Sequence, residues 1–171
     1  LYITNNYPTS KNPDFGVFTK DQIDKVQDQG VEGDLLFINA RENGITEYFV
    51  AFKKIKKIYR HYDILHCFHG LTLIITFFAT TKKPILISFL NEIKFENLKN
   101  NKFFNKIFIV IYNLLIRSNR VFTIFKDKVP ERLRGNGHSF YLPNGVDINT
   151  FHPIEKQESC KKLKLDESKN Y

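Results

Sequence analysis

The chain alternates between two kinds of apolar pattern. Short β-branched or aromatic runs, such as the nearly continuous apolar run at 85–89, are typical of strands that are covered on both faces. Longer segments between them carry apolar residues at helical spacing. The predicted strands cover residues 1–4, 34–39, 63–68, 85–89, 120–125 and 138–142, and the predicted helices cover 17–29, 46–60, 71–81, 98–117, 127–134 and 155–165. This alternation predicts an α/β fold, a Rossmann-like parallel sheet of about six strands with helices on both faces.

One predicted helix, 46–60, carries a basic face. Its apolar stripe is separated by about a third of a turn from a run of cations that no acid interrupts. The cations of this face are Lys53, Lys56, Lys57 and Arg60, with Lys54 among them. Such a face is compatible with anionic lipid headgroups, phosphorylated substrates or nucleic acid, or it is a solvated helix face.

A second predicted helix, 98–117, is apolar on nearly all sides between Ile107 and Leu115. Deep burial is the simpler interpretation, and contact with a membrane or a partner is the alternative. Neither this run nor the one at 71–79 reaches the roughly 20 apolar residues that a membrane-spanning helix needs. We therefore expect no transmembrane segment, and the first residues do not resemble a signal peptide.

Composition bounds the class of protein. A chain of 171 residues with 42% hydrophobic and 15% aromatic residues is expected to form one globular domain with a tail. Cys67 and Cys160 lie far apart and form neither a disulfide framework nor a metal-ligand spacing, which favours a cytoplasmic protein. Cys67 is expected to be a small buried hydrophobe. The net charge of +8 by itself suggests an anionic partner, but no nucleic-acid recognition motif accompanies it, so we expect no nucleic-acid binding.

After Tyr141 the pattern changes to turn residues, in the run LPNGVDINTFHP at 142–153. This run resembles the interdomain signature of the large retaining GT-B glycosyltransferase family that contains sucrose synthases and phosphatidylinositol mannosyltransferases. Other segments are placed like the strands, glycine loop and first helix of its N-terminal domain. They are NYP at 6–8, NPDFGVF at 12–18, PILISF at 84–89 and RVFT at 120–123.

The resemblance implies a domain organisation and an activity. Residues 1–147 would be the acceptor domain, and 148–171 the interdomain linker and the truncated start of the donor domain. The enzyme would move a sugar from a nucleotide sugar to a glycan or lipid-linked acceptor, with retention and without a metal or another cofactor. This chain alone would be inactive without a C-terminal donor domain. The basic helix would rest peripherally on the inner, anionic face of the membrane.

Residues that carry the chemistry are expected at the carboxyl ends of the strands, where open parallel sheets bind ligands. Phe15 and Gly16 lie where the first strand leads into the first helix, next to the expected position of the donor phosphates. The alternative for Gly16 is a tight turn only. His66 and His69 follow or end the third strand, and His69 is a candidate to orient or deprotonate an acceptor hydroxyl, or a structural residue.

The fourth strand departs from the family's pattern. Many relatives carry a histidine just after it, whereas this chain has Leu90, followed by Asn91 and Glu92. Either Asn91 and Glu92 serve the acceptor, or the site is altered and Glu92 is a surface acid. At the hinge, Asn144, Gly145 and Asp147 are expected to form a sharp turn with positive φ and, by resemblance, to line the cleft.

A second hypothesis belongs to another functional class. The chain would be a non-catalytic domain that docks a separate donor-binding chain, as in a split transferase. Co-purification with such a chain separates this hypothesis from the first.

Overall fold

A parallel sheet forms the centre of the molecule. The computed structural model describes residues 1–89, 102–126, 138–145, 148, 151–166 and 168–169. Within these ranges the strands are β1 (Tyr2–Thr4), β2 (Leu35–Phe37), β3 (Leu65–Cys67), β4 (Ile85–Phe89), β5 (Val121–Phe125) and β6 (Ser139–Tyr141). They are ordered β2-β1-β3-β4-β5-β6, and every neighbouring pair is parallel. The predicted Rossmann-like α/β fold is confirmed.

The helices lie close to their predicted positions. They are α1 (Val17–Asp28), α2 (Ala40–Asn43), α3 (Thr46–Ile58), α4 (Gly70–Ala79), α5 (Lys102–Leu115) and α6 (Lys156–Leu163). A 3₁₀ turn at Tyr59–His61 follows α3, so Arg60 lies beyond the α-helix in which the sequence placed it. The short helix α2 was not predicted. The predicted helix at 127–134 lies outside the described residues.

The chain changes its direction across the sheet at β1. The connection through α1 leads from β1 to β2 on one side, and the next connection returns past β1 to β3 on the other side. Because crossovers between parallel strands are right-handed, these two connections place their helices on opposite faces of the sheet. The carboxyl ends of β1 and β3 therefore flank a crevice, the position at which such folds bind ligands.

The two faces of the sheet differ in size and in character. On one face, α3, α4 and α5 cover the main core, in which Ile3, Leu65 and Val121 from the strands meet Ile55 and Leu73 from the helices. Cys67 is buried in this core, as expected.

On the other face, α1 covers a smaller cluster of Tyr2, Ile23 and Phe68. Strand alternation assigns Leu65 and Cys67 to the first face and His66 to the second. Helices therefore cover both faces, as the apolar strands predict. No helix in the described ranges is both long and apolar enough to cross a membrane.

Candidate functional site

The loop from β1 to α1 folds back on itself at Gly16. This glycine has a φ of 81°, in the left-handed region, and a Cβ there would lie 2.5 Å from the carbonyl carbon of Asn6 and the nitrogen of Tyr7. No other residue type fits both requirements. The tight-turn role of Gly16 is thus established by geometry, and the same geometry draws the start of α1 against the end of β1.

The first turn of α1 offers uncapped backbone donors at the carboxyl edge of the sheet. Gly16 is the N-cap and provides no side-chain cap, and no acidic residue lies in the first turn. Helical geometry leaves the N–H groups of Val17, Phe18 and Thr19 without an intrahelical acceptor. These donors and the helix dipole together favour an anion at this point.

Several buried polar atoms of the β1–α1 unit have no partner in the described part of the chain. The side-chain oxygens of Asn5, Asn6, Thr19 and Gln22 are buried and have no hydrogen-bond partner within the described part of the chain. Thr19 is fully buried in the first turn of α1, and Gln22 follows one turn later. Most buried polar atoms in proteins are paired, so each of these oxygens marks a position where a water or a ligand group is needed.

The short helix α2 holds the β1–α1 loop in place. The carboxylate of Glu42 accepts hydrogen bonds from the hydroxyl of Thr9 (2.9 Å) and the amide of Asn12 (3.2 Å). These hydrogen bonds, led by that of Thr9, lower the pKa of Glu42 despite partial desolvation, so the side chain is ionised at neutral pH. The guanidinium of Arg41 lies 4.2 Å from the centre of the Phe15 ring. Arg41 therefore adds a cation beside the loop that carries Gly16.

Sequence reasoning missed Arg41 and Glu42, although a local signal was present. Asn39 is followed three residues later by Glu42, the spacing of a capping box, and Gly44 follows the helix. In the structure the side chain of Asn39 accepts from the backbone N–H of Glu42 at 3.4 Å. Four helical residues give too short an apolar period to be recognised from periodicity.

His69 caps α4 at the carboxyl end of β3. Its Nδ1 accepts from the backbone N–H of Leu71 at 3.3 Å, and its own backbone N–H donates to the Thr72 hydroxyl at 3.2 Å. Because Nδ1 accepts the hydrogen bond from Leu71, the proton of the neutral ring lies on Nε2. Although part of its surface is exposed, desolvation lowers the pKa of His69, which favours the neutral ring. As placed, His69 can donate a hydrogen bond through Nε2, whereas acting as a base through Nδ1 would break the cap.

His66 lies inside β3 and not at its end. Its ring stacks on Phe68 at 4.2 Å, and Nε2 lies 2.9 Å from the hydroxyl of Ser88 on β4. The side-chain amide of Gln22 donates to the same hydroxyl at 3.3 Å. Burial, followed by the nearby N-terminal ammonium and Lys126, lowers the pKa of His66 to about 3, so the ring is neutral and shares a hydrogen bond with the Ser88 hydroxyl. The Ser88 hydroxyl therefore links Gln22 of α1 to His66 of β3.

The structure brings only some of the predicted site residues together. Gly16 and His69 lie at the ends of the adjacent strands β1 and β3, with Phe15 in the same loop. Asn144 and Gly145 follow β6, which is separated from β1 by four strand spacings, roughly 19 Å. Asn91, Glu92 and Asp147 lie outside the described residues.

The expected sharp turn at the hinge is not observed at Gly145. Among the glycines described, positive φ occurs at Gly16, Gly30 and Gly44. A Cβ on Gly145 would meet nothing within 4 Å. Gly145 therefore does not adopt the left-handed conformation that Asn-Gly allows, and Asp147, the other end of the predicted turn, lies outside the described residues.

The basic face of α3 lies away from this crevice. The start of α3 is near the carboxyl edge, where the amide of Asn5 donates to the Tyr48 hydroxyl at 2.7 Å. Its end is near the amino edge, where the hydroxyls of Tyr59 and Thr81 are 3.1 Å apart just before β4. Lys53, Lys56, Lys57 and Arg60 occupy this second half and are exposed. These cations are therefore distant from the crevice, because α3 extends about 20 Å across the sheet.

The described residues contain no group of three or more His, Cys, Asp or Glu side chains that could hold a metal ion. What the crevice does contain is a helix N-terminus, a nearby arginine, a neutral histidine and unpaired polar oxygens. Comparison of the chain with family models, with curated proteins and with solved structures gives no match to any of the three.

Proposed function

We propose that this chain is the acceptor-side domain of a retaining GT-B glycosyltransferase, and that the β1–α1 unit contacts the phosphates of a nucleotide sugar. The acceptor would be a glycan or a lipid-linked sugar. The run LPNGVDINTFHP at 142–153 and the glycine loop support the family assignment. The sheet order, with its crevice between β1 and β3, provides the place at which such a ligand would bind.

One observation carries the proposal most directly. The uncapped first turn of α1 and the unpaired oxygens of Asn6 and Thr19 occur at the same corner of the sheet. The backbone donors suit phosphate oxygens, and the side-chain oxygens suit hydroxyl or water donors around them. A polar, partly buried corner of this kind matches a ligand with an anionic part and a hydroxyl-rich part.

The chemistry assigned to the residues is electrostatic. Departure of a nucleoside diphosphate places negative charge on its phosphates, and donors that are fixed before the reaction stabilise that charge without reorganising. The N–H groups of Val17 to Thr19 would provide these donors, and Arg41 would add a neighbouring positive charge. The Nε2 proton of His69 would donate to an acceptor hydroxyl or a phosphate oxygen across the crevice.

Nuclear magnetic resonance of the isotopically labelled chain tests the proposal. Titration with a nucleoside diphosphate in the millimolar range should shift the backbone amide signals of Val17, Phe18 and Thr19. The nucleoside without phosphates should shift them far less. Replacing Arg41→Gln should weaken the diphosphate response, and Arg117→Gln, an exposed arginine after α5, is the charge-matched control.

Two results would contradict the proposed function. One is a diphosphate response that is equal in size to that of the nucleoside, since the phosphates would then contribute nothing. The other is a set of shifted signals that excludes the first turn of α1. Micromolar affinity of the isolated chain for a nucleotide sugar would contradict the part of the proposal that assigns donor binding mainly to another domain.

A further inference from the structure

The outward side of α4 is apolar at every position. Thr72, Leu73, Thr76 and Ala79 face inward and are buried. The opposite side consists of the exposed Leu71 and Phe78 and the half-buried Ile74 and Ile75. The exposed fraction of Phe78 is 62%. Helices on the surface of water-soluble domains ordinarily place polar residues on this side, so the pattern is inverted.

The outward side of α5 repeats the pattern. Tyr112 and Leu115 are buried on its inner side. Among the α5 side chains that the structure describes, the apolar ones on the outer side are Ile107, Val110, Ile111 and Leu114, of which all but the half-buried Ile111 are exposed. Leu114 has an exposed fraction of 64%. The simpler prediction for this helix, burial on all sides, is thus wrong, because the sheet covers only its inner half.

The apolar outer sides lie next to each other and next to a basic one. Helix α4 packs against both α3 and α5 in one layer. The outward side of α3 begins with the exposed Phe49 and Val50 and continues, one and two turns later, with the exposed Lys53 and Lys57. We call this combined surface of α3, α4 and α5 the outer helix face.

We infer that the outer helix face binds the surface of an anionic lipid bilayer. The eight outward positions described on α4 and α5 present aliphatic and aromatic side chains, which gain free energy when the acyl boundary replaces water around them. The lysines of α3 border these positions and match the negative charge of acidic headgroups. The helices lie flat on the sheet, so the contact is interfacial and needs no spanning segment.

A bilayer fits this face better than a protein partner does. Protein interfaces contain about one hydrogen bond per 100–200 Å², which sets the register of the two surfaces. The outward positions of α4, and those of α5 whose side chains the structure describes, provide no side-chain donor or acceptor for such bonds. A lipid surface requires none, because it imposes no register. The inference goes beyond the proposed function and does not depend on nucleotide binding.

Flotation of the full chain with lipid vesicles tests the inference. The chain should bind vesicles in which a third of the lipid is phosphatidylglycerol, and it should bind pure phosphatidylcholine vesicles more weakly. The double variant Phe78→Ser with Leu114→Ser should lower the affinity for both vesicles at least about tenfold, since it removes two inserted side chains. Both positions are exposed, so folding should be retained.

The chain offers a matched control for this variant. Phe151 before α6 and Leu163 on α6 are also exposed, with exposed fractions of 70% and 67%, and neither belongs to the outer helix face. Phe151→Ser with Leu163→Ser should leave vesicle binding unchanged. Equal losses of vesicle affinity from both pairs would overturn the inference, since any exposed apolar residue would then contribute to binding.

A second pair of variants separates charge from insertion. Lys53→Glu with Lys57→Glu should lower affinity for the anionic vesicles about thirtyfold and have little effect on neutral ones. The control is Lys25→Glu with Lys161→Glu, exposed lysines on α1 and α6 with the same change of net charge. Added salt should lower the affinity of the wild-type chain for anionic vesicles toward that of the lysine variant.

Light scattering completes the experiment. If the wild-type chain binds neither vesicle, the inference is wrong. If the chain forms a dimer that Phe78→Ser with Leu114→Ser dissociates, the outer helix face is an interface between two copies of the chain, and the inference is wrong as well. Vesicle binding that persists without any nucleotide response in α1 would separate this inference from the proposed function.

Discussion

The two sides of the sheet distribute polarity in opposite ways. Under α1 the interior contains polar groups, His66, Ser88 and the unpaired oxygen of Thr19, while the outer surface of α1 carries charges such as Lys20 and Asp21. Under α3, α4 and α5 the interior is mainly apolar, with the buried hydroxyls of Thr72 and Thr76 within it, and the described outer positions of α4 and α5 are apolar as well. The comparison indicates that a buried polar group and an exposed apolar one mark different kinds of site. The first suits a small polar ligand, and the second suits an extended apolar surface.

The largest expected effect on stability comes from the α1 side of the sheet. Gly16→Ala should lower the free energy of unfolding by about 4 kcal/mol, because the new methyl group meets the peptide of Asn6 and Tyr7 and the backbone remains at positive φ. Gly30→Ala is the control, since Gly30 also has positive φ but has open space around it. It should cost about 1 kcal/mol. Urea unfolding of the two variants measures the difference, and equal losses would show that close approach at Gly16 is unimportant.

The next effect separates the inner and outer sides of α4. Leu73→Ala should lower the free energy of unfolding by about 3 kcal/mol, because Leu73 is fully buried in the main core. Leu71→Ala, the same substitution on the outward side, should cost less than about 1 kcal/mol. Thermal or urea unfolding compares the pair. A large loss at Leu71 would mean that this side is covered in solution.

A pH dependence should come from His66. Its folded pKa of about 3 lies below its ordinary value of 6.5, so the folded state binds fewer protons between these values. The contribution of neutral His66 to the free energy of unfolding is complete above the unfolded pKa of 6.5, and it is lost as the pH falls from 6.5 toward 3. The expected loss between pH 7 and pH 5 is about 2 kcal/mol.

Unfolding titrations at a series of pH values would check this slope. His66→Gln should remove most of it, whatever its effect on stability at neutral pH. His61→Gln, an exposed histidine in the turn after α3, should retain it. If the slope persists in His66→Gln, another group causes it, and the neighbouring His69, whose pKa is also lowered, would be the next candidate.

The smallest expected effect concerns the ligand and leaves the fold unchanged. Arg41→Gln should lower the affinity for the diphosphate, measured at the amide signals of α1, about fivefold. This is the magnitude expected for one exposed charge near a helix terminus. Its free energy of unfolding should change by less than about 0.5 kcal/mol, because Arg41 is exposed. Parallel binding and unfolding titrations check both expectations. A loss of binding that is matched by a loss of stability would mean that Arg41 only supports the loop.

The sequence predicted the elements better than their environment. Periodicity identified the strands and the long helices, because apolar spacing follows directly from the geometry of each element. It did not reveal α2, whose four residues are shorter than the window that periodicity requires. It placed Gly16 correctly at a turn, but the contact with Asn6 that makes the glycine necessary joins residues ten positions apart in a folded loop.

The candidate site was predicted only in part for a related reason. Strand ends could be read along the chain, and His69 was found in this way. Its role as the cap of α4 depends on where Nδ1 lies relative to Leu71. The basic face of α3 was also recognised, but its distance from the crevice depends on the direction of α3 across the sheet. The function itself stays a prediction.

By itself, the sequence determined the parallel α/β architecture, the order of its elements and the residue types available for chemistry, since these depend on local patterns of apolar and polar residues. Only the tertiary structure decided which of these residues meet. It placed α1 and α4 on opposite faces of one sheet, left polar atoms unpaired under the first and left apolar side chains exposed on the second. Burial is a property of neighbours that are distant in sequence, and a local pattern cannot specify which half of an apolar helix such as α5 they will cover.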